Sequence, residues 1–340
     1  MFGTYVVRRC LIAIPVLFGV SLLSYALLSV TAGDVVPGLA LNPNITAADI
    51  ARIRDNMGLN EPFWQQYTNW AGLLWPFGRL GLFHGRYTTG LLEGNFGNSA
   101  VNGLPVMSII ATHLGNTIEL TATAMVIGIL IAIPFGIIAA RNHGGPIDNI
   151  LTALSVAGVA VPSFWLGLVL ILLFAVGFSQ WGLPSLPTGG AVSSFGGGGI
   201  GDRVVHLILP ACVLAFGYLA VWSRYMRSSM LDVLSQDYMR TAQSKGMSML
   251  RAIYVHGLRN AIIPLVTLIG LELPNLFAGS AIIEIVFSWP GLGLEAYQAA
   301  TDHDFTVVMA LTTFVATMVV LGNLVADLLY AVLDPRIRYG

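Results

Sequence analysis

Four acidic residues lie inside or near long apolar stretches of this sequence: Glu119, Glu272, Glu284 and Asp327. A charged side chain at the centre of a bilayer costs at least about 2.5 kcal/mol, so such residues usually face a bundle interior or water. Glu272 lies nearest the centre of its stretch. It could line a path for a polar solute, relay protons together with Asp327, or only fix helix packing, and these interpretations stay open. Glu284 and Asp327 lie near the ends of their stretches, which favours a structural role.

Two further residues, Pro162 and Asn275, join Glu272 as candidates for the lining of a path. No metal or cofactor site is predicted on this chain. The sequence has neither a His-Glu-x-x-His pattern nor a Gly-x-x-x-x-Gly-Lys-Ser/Thr loop, so metalloprotease chemistry and ATP hydrolysis by this chain are unsupported. Cys10 and Cys212 sit in apolar runs far apart in the sequence, which predicts two buried small side chains rather than a disulfide.

The elements that carry these residues follow from composition. The chain has 340 residues, of which 56% are apolar and 10% charged, with a net charge of −1 and a mean hydropathy of +0.77. About a quarter of the residues in a soluble domain are charged. The composition therefore excludes a disordered chain, a nucleic-acid binder and a disulfide scaffold, and it places most of the chain in lipid.

Six stretches are long enough to cross a bilayer as helices, which takes about 20 apolar residues. They cover about residues 10–30, 115–140, 147–178, 204–222, 261–286 and 305–333. The first has an apolar core longer than that of a secretory signal, so we expect a retained membrane helix. Pro162 should kink the third stretch. The predicted fold class is an all-α polytopic membrane protein with six transmembrane helices.

Basic residues predict the orientation, because Lys and Arg are enriched in cytoplasmic segments. With both termini cytoplasmic, 11 of the 16 Lys and Arg residues lie inside. These are Arg8, Arg9, Arg141, Arg224, Arg227, Arg240, Lys245, Arg251, Arg259, Arg336 and Arg338. The predicted organisation is an N-terminal segment with the first span (1–31), an external folded segment (32–114) and a membrane core (115–340).

The external segment is expected to contain two helices. Residues 46–58 have the signals of one, and Asn60 is predicted to cap a second, with Pro62 near its first turn. The second carries aromatic residues at helical spacing, namely Phe63, Trp64, Tyr67 and Trp70. These side chains are expected to cover the outer mouth of the protein or to lie at the lipid headgroups.

The longest predicted cytoplasmic segment, 223–259, is expected to contain a bent helical element at 236–255. Ser235 is predicted to cap a helix beginning at Gln236, and Gly246 to end it in a left-handed turn before Ser248 starts another. Apolar positions on this element suit docking into a groove of another protein, and its basic residues suit the lipid surface. The first helix places Tyr238, Met239 and Ala242 on one face, and the second contributes Met249, Leu250, Ile253 and Tyr254.

Several motifs of this chain resemble those of ATP-driven import permeases. The segment Asp237-Tyr-Met-Arg-Thr-Ala-Gln-Ser-Lys-Gly246, followed by His256-Gly-Leu-Arg-Asn-Ala-Ile-Ile-Pro264, is similar to their coupling motif. Other segments resemble the B-type permease of the dipeptide, oligopeptide and nickel branch: Val7-Arg8-Arg9, Leu59-Asn60-Glu61-Pro62-Phe63-Trp64-Gln65-Gln66-Tyr67, Phe287-Ser-Trp-Pro-Gly-Leu-Gly293 and Asp327-Leu-Leu-Tyr-Ala-Val-Leu-Asp-Pro-Arg-Ile-Arg-Tyr339.

The resemblance implies a type I ABC importer permease in a bacterial inner membrane. It implies four kinds of partner: membrane lipid, a second homologous permease subunit, two cytoplasmic ATPase subunits that bind ATP and Mg, and an external binding protein that delivers substrate. It also assigns ATPase coupling to the predicted element. The coupling residues are Asp237, Tyr238, Arg240, Thr241, Ala242, Lys245, Gly246, Met247 and Arg251.

The chain departs from the family pattern at two places. Arg240-Thr241-Ala242 replaces the usual Glu-Ala-Ala opening of the coupling motif, and residues 76–92 are an insertion. Peptides are the expected substrates, although the residues alone leave nickel and other solutes open. An ion-coupled secondary transporter and a membrane scaffold are alternatives, and the first of them leaves the cytoplasmic element without a purpose.

Overall fold

The fold is helical throughout the part of the chain that the computed structural model describes, which is residues 2–31, 46, 61–72, 90–193 and 198–333. Within those residues there is no strand, only one bridge between Asn98 and Pro105 and a 3₁₀ turn at Leu91–Glu93. The predicted all-α class is confirmed. Apart from Thr46, the helix predicted over 46–58 lies outside the described residues.

The described helices are numbered here in chain order. They are α1 (Phe2–Thr31), α2 (Phe63–Ala71), α3 (Val106–Arg141), α4 (Pro146–Ala160), α5 (Ser163–Gln180), α6 (Ile200–Leu234), α7 (Asp237–Ser244), α8 (Met249–Ala261), α9 (Ile263–Glu272), α10 (Asn275–Ala278), α11 (Ala281–Val286), α12 (Leu292–Thr301) and α13 (Phe305–Leu333). Two of them contain π-helical turns, at Ile171–Gly177 in α5 and at Ile253–Gly257 in α8.

Five of these helices are long and apolar enough to cross a membrane: α1, α3, α5, α6 and α13. A sixth is present if α8 and the following segment Ile263–Ala278, which are bent by 46° at their junction, form one span. The prediction of a polytopic helical protein is therefore confirmed, with five or six spans. The lengths of the helices do not decide which side of the membrane each end faces, so the orientation stays a prediction.

The third predicted span is broken rather than kinked. Helix α4 ends at Ala160 and α5 begins at Ser163, because Pro162 forces Val161 into an extended conformation (φ −80°, ψ 123°). Helix α4 has only 15 residues, fewer than a crossing needs. The crossing segment is therefore α5 alone, and the prediction of one helix over 147–178 is wrong.

The fifth predicted span, 261–286, is also wrong as a single helix. It divides into α9, α10 and α11, with breaks at Leu273–Pro274 and at Gly279. Pro274 has no N–H with which to continue the helical hydrogen bonds. Gly279 adopts φ +65° and ψ −166°, a conformation essentially restricted to glycine. The apolar bent pair instead begins upstream, at Met249.

Helix α6 is longer than predicted, because it continues twelve residues past Trp222. Its extension carries Met226, Met230 and Val233, all buried in one hydrophobic cluster. Their spacing of four and three residues continues an apolar stripe along the helix. Much of the predicted loop 223–259 is therefore helix.

The described residues form two compact units. The first contains the described residues of the ranges 1–114 and 295–321. In it, the aromatic helix α2 packs on α1: the Tyr67 hydroxyl lies 2.8 Å from the Ser21 hydroxyl, and the Tyr67 ring contacts those of Phe18 and Tyr25. Tyr67 is only 2% exposed, whereas Trp64 is exposed. At least part of the predicted aromatic face is thus covered by α1.

The second unit contains residues 115–294 and 322–333. Its centre is α6, which α3 and α4 approach closely at glycines. A Cβ on Gly136 would lie 2.5 Å from Met226, and one on Gly158 would lie 2.7 Å from Ala220. Small residues at such crossings let helix backbones come together in membrane proteins. The candidate site is built on this unit.

Candidate functional site

The predicted coupling element is a helix–turn–helix, with Gly246 at the bend between α7 and α8. Gly246 has φ +86°, as predicted for a left-handed turn. The Gly246 N–H donates to the Gln243 carbonyl at 2.9 Å, and the Met247 N–H donates to the Ala242 carbonyl at 3.2 Å. These two bonds define a Schellman motif, which satisfies carbonyls left unpaired at the end of α7.

The start of α7 differs from its prediction. Ser235 ends α6 instead of capping α7, and its hydroxyl donates to the Asp232 carbonyl at 2.7 Å. Gln236 is the extended residue before α7, and no side chain caps it. The element is therefore joined to α6 by a tight connection with no intervening loop.

One face of the element is buried in the chain's own core. Met239, Ala242 and Ile253 belong to the cluster that contains Met226 and Met230 of α6. The expectation that Met239 offers an exposed docking position is wrong, because its side chain is 1% exposed. Among the predicted coupling residues, Ala242 is buried and Met247 is half-buried against the same cluster. The Schellman motif explains both, since its flanking side chains pack together.

The other face of the element is exposed and mainly polar. The remaining predicted coupling residues all lie there: Asp237, Tyr238, Arg240, Thr241, Lys245, Gly246 and Arg251. The exposed apolar side chains next to them come from α8 and include Met249, Leu250 and Tyr254. The surface thus combines three cations and one acid with aromatic and aliphatic side chains, a composition suited to a protein partner.

Two of the three residues predicted to line a path, Glu272 and Asn275, are in contact. The Asn275 amide donates to the Glu272 carboxylate at 2.5 Å, across the break between α9 and α10. Glu272 is half-buried and Asn275 is exposed. The third candidate, Pro162, is exposed at the break between α4 and α5, and no described contact joins it to the other two. The path role of all three stays a prediction.

Glu284 organises a buried centre, which agrees with the structural role that its position in the sequence favours. It is fully buried and accepts hydrogen bonds from the Thr117 hydroxyl at 2.9 Å, the Gly293 N–H at 2.6 Å and the Leu294 N–H at 3.1 Å. A Cβ on Gly291 would lie 2.5 Å from this carboxylate. The glycines of the segment 287–293 therefore make room for Glu284, a signal present in their spacing around it.

A second network in the same unit joins α3, α6 and the segment after α11. Arg203 binds the Glu119 carboxylate through two nitrogens and the Asn116 side-chain oxygen at 2.5 Å. Asn116 in turn donates to the Pro290 carbonyl at 2.7 Å, and the Trp289 indole donates to the Asn116 carbonyl at 2.9 Å. Glu119 is thus neutralised by an ion pair, which explains how it lies next to an apolar stretch.

An ion pair at the other end of α6 was missed. The Arg227 guanidinium binds both oxygens of the buried Asp148 at 2.6 and 2.7 Å, and the Gly144 N–H donates to the same carboxylate at 2.9 Å. This pair ties the start of α4 to the extension of α6. It could not be predicted without the knowledge that α6 continues past Trp222.

The described residues thus combine a polytopic helical fold with an exposed helix–turn–helix element. The family model for the binding-protein-dependent transport system inner membrane component matches residues 132–339, and the model for its N-terminal region matches residues 1–121. The chain belongs to this family. It is a multi-pass permease subunit of an ABC importer in a bacterial inner membrane, and such a subunit implies ATPase and binding-protein partners.

Relatives match the whole chain. The oligopeptide transport system permease protein AppB of Bacillus subtilis is 40% identical over 338 residues, covering 99% of this chain and 100% of AppB. The dipeptide transport system permease protein DppB of Escherichia coli K12 is 36% identical over 356 residues, covering 98% of each chain. Among solved structures, one of an amino acid ABC transporter with histidines has a TM-score of 0.49 and 18% identity, covering 68% of this chain and 95% of that chain. Family membership favours an importer over the ion-coupled alternative.

Proposed function

We propose that this chain is a permease subunit through which short peptides enter the cell, with both of its termini cytoplasmic. It pairs with a second, homologous permease subunit to enclose one pathway. Two ATPase subunits bind ATP and Mg and supply the energy, and an external binding protein delivers the peptide. The full-length similarity to relatives named for oligopeptide and dipeptide transport supports peptides as the substrate class.

The observation that carries the coupling role is the division of the element into two faces. Helix α7 buries Met239 and Ala242 against the chain's own α6, so its exposed face keeps mostly charged and polar residues. A helix that rests on lipid must direct its apolar face into the acyl chains. Helix α7 has already used that face, which favours a protein groove over the lipid surface as its partner.

The same packing explains how movement would be transmitted. Met239, Ala242 and Ile253 share a cluster with residues of α3, α6 and α9, and closely packed interiors shift as units rather than deform. When the ATPase subunits close on ATP, they displace the element, and the helices packed against it follow. Alternating access then results from the rocking of these helices about the pathway.

A substitution at Gly246 tests the proposal. A Cβ at this position meets no atom within 4 Å, so a side chain would project outward from the bend, towards a docked partner. We expect Gly246→Trp to leave the permease folded and inserted but to reduce peptide uptake at least about tenfold. The measurement is uptake and peptide-stimulated ATP hydrolysis in reconstituted vesicles, beside a pull-down of the ATPase subunits.

Gly246→Asn is the matched control, because asparagine tolerates the left-handed conformation better than other residues with a Cβ. A left-handed conformation costs residues with a Cβ about 1–2 kcal/mol, so loss of function through strain alone would be small. We expect the Asn variant to retain most uptake. Normal uptake and normal ATPase retention by the Trp variant would refute a coupling role for this element.

A further inference from the structure

The Glu272 carboxylate lies in the apolar bent segment, where it interacts with the Asn275 amide and, electrostatically, with Tyr218. Asn275 donates to one of its oxygens at 2.5 Å, and among the described residues no Lys, Arg or His nitrogen lies within 4.0 Å of it. Glu119 and Asp148 differ in this respect, because each binds an arginine. A carboxylate in such surroundings needs a compensating charge or water. Glu272 therefore has room for a cation from outside the described chain.

Contacts with two other helices hold the break next to Glu272 in place. The Thr121 hydroxyl donates to the Leu276 carbonyl at 3.1 Å, so a carbonyl at the interruption of the helix has a partner. Gly322 of α13 packs on the break so closely that a Cβ would lie 2.9 Å from the Pro274 Cα. These contacts from α3 and α13 fix the segment between Glu272 and Ala278 from two directions.

The local dipoles favour a cation at the same place. Glu272 is the last residue of α9, and the C-terminal end of a helix carries partial negative charge. The Asn275 side chain gives its N–H to Glu272, and its oxygen accepts no hydrogen bond from the described residues. A carboxylate and an amide therefore lie side by side at the break, and broken membrane helices bind ions at such interruptions.

We propose that Glu272 and Asn275 form a subsite for the α-ammonium group of a peptide in transit, an inference that rests on the proposed function. An ammonium group is cationic, donates three hydrogen bonds and is present on every unmodified peptide whatever its side chains. One carboxylate and one amide oxygen are enough to bind it. Recognition of this shared group suits a pathway that must accept many peptide sequences.

The test compares trialanine with propionyl-dialanine, the same molecule without its α-amino group. Equilibrium binding of each probe is measured on the purified permease–ATPase complex in lipid nanodiscs, without the binding protein, whose own selectivity would interfere. We expect wild-type complex to prefer trialanine. Glu272→Gln should weaken trialanine binding about tenfold, the cost of losing a charged hydrogen bond, and leave propionyl-dialanine binding unchanged.

Asp302→Asn is the matched control, because it neutralises an exposed carboxylate elsewhere in the chain and should change neither affinity. Asn275→Ala provides a second arm that keeps Glu272 in place. It removes the amide oxygen and should weaken trialanine binding about threefold while leaving propionyl-dialanine binding unchanged, even if Glu272→Gln fails to assemble. An unchanged trialanine affinity in Asn275→Ala would overturn the subsite.

Three other outcomes would also overturn the subsite. They are equal effects of Glu272→Gln on the two probes, no effect on either probe, and no binding of trialanine by the wild-type complex at millimolar concentration. The proposed function fails by a different result, namely that wild-type vesicles import no peptide from loaded binding protein. Import by the wild type together with an unaltered trialanine affinity in Glu272→Gln would refute the subsite alone.

Discussion

Glu284 and Glu272 are carboxylates twelve residues apart in one broken apolar segment, and their surroundings are opposite. Glu284 is fully buried and accepts hydrogen bonds from a hydroxyl and two backbone N–H groups. Glu272 is half-buried and accepts one bond from an exposed amide. The donors around a carboxylate, more than its depth in an apolar stretch, therefore distinguish a structural centre from a position open to a ligand.

Neutralising Glu284 should give the largest effect. Glu284→Met removes both oxygens and leaves the Thr117 hydroxyl and the Gly293 and Leu294 N–H groups without an acceptor. A buried donor left unpaired costs about 1–3 kcal/mol, so we expect a loss of about 3 kcal/mol in the free energy of unfolding. Glu272→Gln should lose less than about 1 kcal/mol by the same measure. The check is thermal unfolding of both purified variants, and equal losses would abolish the contrast between the two carboxylates.

A methyl group placed against Glu284 should have an intermediate effect. A Cβ on Gly293 would lie 2.5 Å from the Ala281 Cα and 2.9 Å from the Glu284 carboxylate. Overpacking of this kind typically costs 1–3 kcal/mol, so we expect Gly293→Ala to lose about 2 kcal/mol. Gly270→Ala is the control, because its Cβ meets nothing within 4 Å and alanine favours the helix. If the two variants had the same unfolding midpoint, glycines would not be needed around Glu284.

Removing one hydrogen-bond donor to Glu284 should give the smallest loss in the free energy of unfolding. Thr117→Val keeps the shape of the side chain but removes its bond to Glu284 and the acceptor of the Leu292 N–H. We expect a loss of about 1–2 kcal/mol and no change in peptide binding, since Thr117 does not touch Glu272. A thermal shift assay measures the first and trialanine binding the second. A weakened trialanine affinity would show that Glu284 and Glu272 act together in peptide binding.

Turn and capping residues correctly predicted the elements whose ends are fixed by residues nearby in the sequence. The left-handed turn at Gly246 and the start of α8 after Ser248 are where the sequence places them, because turn and start signals act over a few residues. Helix α2 is present as expected, but it begins at Phe63, so Pro62 precedes the helix instead of lying in its first turn. The predicted last span, 305–333, coincides with α13.

Features that depend on tertiary contacts could not be read in this way. The extension of α6 is held by burial of Met226 and Met230 against other helices, and nothing in the local sequence separates it from a loop of mixed polarity. The breaks at Pro162 and Pro274 end helices, whereas Pro134 and Pro210 lie inside α3 and α6. A proline therefore marks a possible interruption, and the neighbouring helices decide whether the chain stays helical.

The length of helix α6 determines how far its end extends beyond the apolar layer of the membrane. Its 35 residues at about 1.5 Å each make a helix about 52 Å long, while the hydrocarbon layer is about 30 Å thick. A helix near the membrane normal thus leaves about 20 Å outside the apolar layer. Because α7 packs back on Met226, Met230 and Val233, its exposed face stands at that projecting end. The proposed attachment of an ATPase subunit at this face would then not depend on bilayer thickness or lipid type.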